Sequence, residues 1–144
     1  MRILADTNVL ISAVATRGLC ADVLREILVS HELIICDQIL VEVRTVMRTK
    51  LVADQELTSE FVRFLEQNGI LAQPAGFPDV ELRDKADRLV LSAAIAGGAS
   101  VLVTGDKELL ELDKVQNVTI LSPRQFWERF GPVHRIVAAS GGAT

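Results

Sequence analysis

Two cysteines, Cys20 and Cys36, with no Cys-x-x-Cys pair, leave no basis for a disulfide framework or a zinc site. Both read as small core residues. No apolar stretch approaches the ~20 residues a membrane span needs, so a soluble protein with no membrane partner is expected. The apolar start of the chain is interrupted by Asp6, Thr7 and Asn8 and preceded only by Arg2, which makes a poor signal peptide; cytoplasm is the expected location. Internal repeats and low-complexity segments are absent before the tail. His31 and His134 lie in no motif and are assigned surface or packing roles, and Ser12 and Ser92 lack a nucleophile elbow. Basic residues are not in excess either. The formal net charge of −4 argues mildly against nucleic acid, whose binders usually carry a basic footprint.

What is present is a chain able to build a full core. A length of 144 residues suits one domain, and a domain of about 150 residues buries roughly 70% of the surface its unfolded chain exposes. Hydrophobic residues make up 49% and charged ones 24%, which excludes disorder.

Strands and helices alternate. Arg2 to Ala5 reads as a strand, then a short helix, a second helix over 21–29, and the apolar strand Leu33 to Cys36. Asp37 is expected to cap a helix running to about Thr49. Thr58 is expected to open another, closing at Asn68-Gly69 before a strand at 70–72. After the Pro/Gly loop at 74–78, Asp84 begins an apolar helix that ends at Gly97-Gly98. Strands at 100–104 and 118–121 follow, and Ser122-Pro123 starts the last helix. Strands separated by helices imply parallel pairing with right-handed crossovers, hence a three-layer α/β/α sandwich around a mainly parallel sheet. Residues 1–130 are expected to form the domain and 131–144 a flexible tail, in which Ile136 to Ala139 could dock on a neighbour.

Four carboxylates fall where this pattern ends strands or turns helices inward. Asp6 and Asp106 lie just past strand ends, where open parallel sheets bind ligands. On the helix after Asp37, Ile39, Val43, Val46 and Met47 share a face, with Glu42 at its edge, about 40° from Val46. Asp87 falls between Val90, Leu91 and Ala94, whereas Lys85, Arg88 and Ser92 share the polar side and Asp84 reads as the N-cap. An acid bordering an apolar stripe is driven toward the protein and needs a partner. Taken singly, Asp6 could be a turn residue and Gly105-Asp106-Lys107 a β-turn. Together, four mutually repelling carboxylates at one sheet edge are tolerable mainly with a cation, and carboxylates with water suit Mg²⁺ or Mn²⁺. If four acids neutralise metal, the remaining surface is near neutral. Basic residues then matter locally, at Arg44, Arg48 and Lys50 and at Arg83, Lys85 and Arg88.

Over about residues 1 to 130 the chain resembles the PIN domains found in the VapC-type toxins of toxin–antitoxin pairs. The likeness lies in Asp6-Thr7-Asn8-Val9-Leu10-Ile11, in Glu42 within Ile39-Leu40-Val41-Glu42-Val43, in Ala86-Asp87-Arg88-Leu89, and in the run from Leu102 to Leu110 around Thr104-Gly105-Asp106. The resemblance implies a Mg²⁺- or Mn²⁺-dependent endoribonuclease with Asp6, Glu42, Asp87 and Asp106 as its metal-binding catalytic centre and Asn8 and Thr104 orienting them. It also implies an RNA substrate and an antitoxin partner; a homodimer is expected as well. Lys107, Lys85, Arg44 and Arg48 are candidate substrate contacts. Where related sequences often carry a proline-containing acidic run before the third acid, Arg83-Asp84-Lys85-Ala86 stands here, which puts any auxiliary role for Asp84 in doubt. Two other readings stay open: a catalytically weak binding module working through a protein partner, and a metal-dependent phosphatase. The second would need an Asp-x-Asp at the first strand, and Asp6-Thr7-Asn8 does not supply it.

Overall fold

Ile3, Leu4 and Ala5 are completely buried, as a central parallel strand covered on both faces requires. The computed structural model describes residues 1–132; His134, Ile136 to Ala139 and most of the expected tail lie outside the described residues. In chain order the elements are β1 (Arg2–Ala5), α1 (Thr7–Ala15), α2 (Leu19–Ser30), β2 (Glu32–Ile35), α3 (Asp37–Thr49), α4 (Gln55–Asn68) and β3 (Gly69–Leu71). Then come α5 (Lys85–Ala96), β4 (Val101–Val103), α6 (Lys107–Leu112), β5 (Lys114–Val115), β6 (Val118–Leu121) and α7 (Pro123–Phe130).

The sheet order is β3-β2-β1-β4-β6-β5. The first five strands in that order run parallel, and the two-residue β5 closes the edge antiparallel to β6. Helices flank the sheet in an α/β/α arrangement. The chain steps outward from β1 through β2 to β3, then returns to place β4 on the other side of β1, with Leu4 beside Leu102 and Ala5 beside Val103. That reversal makes the β1–β4 boundary the switch point, the place on the carboxyl edge where open parallel sheets generally bind ligands.

Local chemistry explains four departures from the sequence expectations. Cys36 rather than Asp37 is the N-cap of α3, without a side-chain bond, and Asp37 sits inside the first turn, where its charge meets the positive end of the helix. Helix α4 starts before Thr58: the Asp54 carboxylate accepts from the Leu57 amide at 2.7 Å and caps the helix a turn earlier. Asp106 is the N-cap of α6 rather than part of a free β-turn. Ser92, expected on the polar face of α5, is buried: its hydroxyl donates to the Gly76 carbonyl and accepts from the Ala75 amide, so the 74–78 loop folds over it.

The glycine closing α4 serves a close approach rather than an unusual backbone. Gly69 is extended, at φ −108°, but a Cβ there would lie 2.8 Å from the Leu65 carbonyl oxygen and 3.0 Å from Ile35 Cγ2. Helix α7 carries the full capping box, Ser122 with Gln125, in addition to Pro123. Cys36 is buried in the core and Cys20 is half-buried against it; burial raises both thiols above their ordinary pKa. His31 meets the edge of Phe126, with ring centroids 6.1 Å apart. No single helix among the described residues is long and apolar enough to cross a membrane.

Candidate metal centre

Helices that follow a parallel strand, or lead back to one, point their N-termini at the carboxyl edge of the sheet. Each of the four acids rides on such an end. Asp6 caps α1 and Asp106 caps α6, Asp87 is the third residue of α5, and Glu42 lies in the second turn of α3.

Asp6 is buried, with only 7% of its surface exposed. One carboxylate oxygen accepts from the Thr7 amide at 2.8 Å, the other from Thr104 Oγ1 at 2.8 Å. Thr104 is fully buried, and its hydroxyl oxygen in turn accepts from the Asp106 amide at 3.0 Å. A single hydroxyl therefore spans the switch point and ties the two strand-end acids together. Asp106 Oδ1 accepts from the amides of Glu108 and Leu109 at 2.9 and 3.1 Å. Glu42 is half-buried and accepts from Gln38 Nε2 at 2.9 Å. Asp87 is half-buried, while Asp84 is exposed and accepts from the Ala86 amide at 2.8 Å as the cap of α5. Asn8 is exposed in the first turn of α1 and bonds to none of these acids among the described residues.

Burial pushes the Asp6 carboxyl above its ordinary pKa, against the bonds from Thr104 and Thr7, and repulsion from Glu42 and Asp106 adds to it. Desolvation and then the charges of Asp106, Asp84, Asp6 and Glu108 raise Asp87 from 3.8 to about 7. The acids thus act on one another across α1, α3, α5 and α6, although among the described residues no three of them form a ready-made ligand set for one ion. Such an all-oxygen group of crowded carboxylates fits a hard divalent cation. Mg²⁺ in particular keeps several waters and is commonly held by only one or two carboxylates. Thr7 Oγ1, beside Asp6, is also the one buried side-chain polar atom without a hydrogen-bond partner among the described residues.

A pH dependence follows. The folded chain holds the Asp87 proton more tightly than the unfolded chain does, so folding takes up a proton between pH 3.8 and about 7. Stability that is fully present below that window is lost as pH rises through it. Because Asp87 is only partly buried, solvent screening trims the size of the effect. Melting in excess chelator from pH 4 to 8 should show wild type losing ground to Asp87→Asn across this window. Parallel curves for the two proteins would contradict it.

The basic candidates separate in space. Lys107 lines a cleft of about 760 Å³ with Leu82, Arg83, Arg88, Glu108 and Glu111. Arg88 and Lys107 are the sequence neighbours of Asp87 and Asp106, so the cleft lies at the same helix ends, although none of the four acids lines it. Lys85 is exposed at the start of α5, on the same edge. Arg44 and Arg48 instead line a separate cleft of about 470 Å³ with Ala53, Gln55 and Thr58, between α3 and α4. Sequence reasoning missed Gln38 and Glu108, and it reached Arg83 and Arg88 only as members of a local basic cluster. Only Gln38 left a signal, its four-residue spacing from Glu42 on one helix face.

The fold and these acids define an α/β domain with carboxylates gathered at the carboxyl edge of a parallel sheet, where the strand order reverses. A family model described as PIN domain matches residues 2–108, and the chain belongs to the PIN domain family. No curated protein matches the chain. Two solved structures share the fold. VapBC2 from Rickettsia felis, bound to a DNA fragment from the VapBC2 promoter, is 16% identical at a TM-score of 0.60, covering 85% of this chain and 98% of that one. VapBC-1 from nontypeable Haemophilus influenzae is 14% identical at a TM-score of 0.62, covering 86% and 99%.

Proposed function

We propose that this chain is a metal-dependent endoribonuclease, the toxin of a toxin–antitoxin pair. The observation that carries this reading is the linkage of Asp6, Thr104 and Asp106 across the switch point of a PIN domain, with Asp87 raised to about 7 by desolvation and then by the neighbouring charges, Asp106 first. In this reading Asp6, Glu42, Asp87 and Asp106 hold Mg²⁺ or Mn²⁺. Bound there, a divalent cation supplies an acidified water and positive charge against the phosphoryl oxygens of a phosphodiester. Thr104 keeps the Asp6 carboxylate turned toward Asp106, and Gln38 does the same for Glu42 from one turn below. Lys107, Lys85 and Arg88 take the neighbouring phosphates of the RNA strand, and the cleft beside α6 leads that strand to the acids. No histidine is needed for proton transfer.

The same reading places the protein in the cytoplasm, with residues 1–130 as the nuclease domain, a homodimer as the working form and an antitoxin as its regulator. VapBC complexes among the structural neighbours support the antitoxin partner. Purified protein should cut generic RNA internally in Mg²⁺ or Mn²⁺ and stop on chelation. Single-stranded DNA and a phosphatase substrate serve as controls. Cleavage undiminished in excess EDTA, or no cleavage of any RNA with either metal, would sink the proposal.

A further inference from the structure

We propose that Glu108 is a positioning residue for Asp87 and Asp106, a strut between the two helices that carry them. This rests on the metal-nuclease reading and adds to it a residue outside the set of four acids. The backbone amide of Glu108 donates to Asp106 Oδ1 at 2.9 Å and helps fix that carboxylate. The Glu108 side chain reaches the other way, and its Oε1 accepts from the Arg83 amide, 25 residues earlier, at 2.7 Å. Arg83 immediately precedes Asp84, whose carboxylate caps α5 through the Ala86 amide and so starts the turn that presents Asp87. Three hydrogen bonds, with the backbone between them, therefore lead from Asp106 through Glu108 to the first turn of α5, which carries Asp87.

Packing on the sheet holds each helix separately, through Val90 and Leu91 on α5 and Leu109 on α6, but few links join the two helix ends directly. Helices α5 and α6 make scant direct contact, and among the described residues no other hydrogen bond joins the 80–84 segment to α6. Its charge adds to the repulsion on Asp87, while its place in the first turn of α6 suits an anion. A carboxylate at this position is accounted for by its reach to a backbone amide, which a shorter or apolar side chain lacks.

Two conservative substitutions separate reach from charge. Glu108→Gln keeps an acceptor oxygen at the same distance and removes the charge, whereas Glu108→Asp keeps the charge and falls short by one methylene. Apparent Mn²⁺ affinity is read from the rise in melting temperature across a metal titration, alongside initial rates of RNA cleavage. Glu108→Asp should lose about 10- to 100-fold in Mn²⁺ affinity, the usual range for a residue supporting metal ligands, with a matching fall in kcat. Glu108→Gln should stay near wild type in both. Wild-type affinity in Glu108→Asp, or equal losses in both variants, would overturn the inference and leave the metal site standing. A wild-type chain with no Mn²⁺-dependent shift at all would overturn the metal reading and this inference with it.

Discussion

Asp106→Asn should abolish cleavage, erase most of the melting shift that Mn²⁺ gives the wild type, and leave the metal-free melting temperature unchanged or raised. The first two effects follow from removing a charge at the point where strand-end acids meet. The third follows from shape. Asp106 caps α6 by accepting two backbone amides on Oδ1, and asparagine offers the same oxygen in the same place. Its charge is also the leading repulsion on Asp87 and one of those on Asp6, so its loss relieves the metal-free state. A cation bound only by the folded chain contributes about 2.7 kcal/mol at a hundredfold excess over Kd. For a domain of this size that is a rise of roughly 5 to 10 °C, easily read in a melting experiment. A variant that melts much lower without metal yet keeps the wild-type Mn²⁺ shift would make Asp106 a structural cap and move the site elsewhere.

The second large effect separates two aspartates three residues apart. Asp87→Asn should cost roughly a hundredfold or more in cleavage, while Asp84→Asn keeps much of the activity. Asp87 is half-buried and loaded by its neighbours' charges, whereas Asp84 is exposed and spends its carboxylate on the Ala86 amide. Asparagine can still cap, so only Asp84→Ala should lose stability, by about 0.5 to 2 kcal/mol. Equal activity losses in the two asparagine variants would refute the division of labour.

These two residues also mark what a linear reading could see. The face of α5 was legible at Asp87 because Val90, Leu91 and Ala94 set a helical period around it, and all three are inaccessible or nearly so. The strand ends at Asp6 and Asp106 were legible for the same reason: short apolar runs stop there. What followed Asp106 was not, because Gly105-Asp106-Lys107 suits a turn and a helix cap equally well, and packing of Leu109 into the core decides for the helix. The two-residue β5 has no periodicity to detect. Ser92 looked polar by its helix position, and only the loop folding back over it buries the hydroxyl. The Glu108 bond to Arg83 ends on a backbone amide, which no residue pattern encodes.

Thr104 and Asp6, joined by one hydrogen bond, lie 98 residues apart in the chain. During synthesis the β1, β2 and β3 side of the sheet can emerge and pair early. Asp87, Thr104 and Asp106 all arrive later, and β4 has to slot in beside β1 under the cover of β6 before they face Asp6. Any polypeptide ending short of residue 106 lacks the last of the acids, and one ending before β6 leaves β4 an open edge. A chain that ends before residue 106 therefore cannot do whatever the four carboxylates do together.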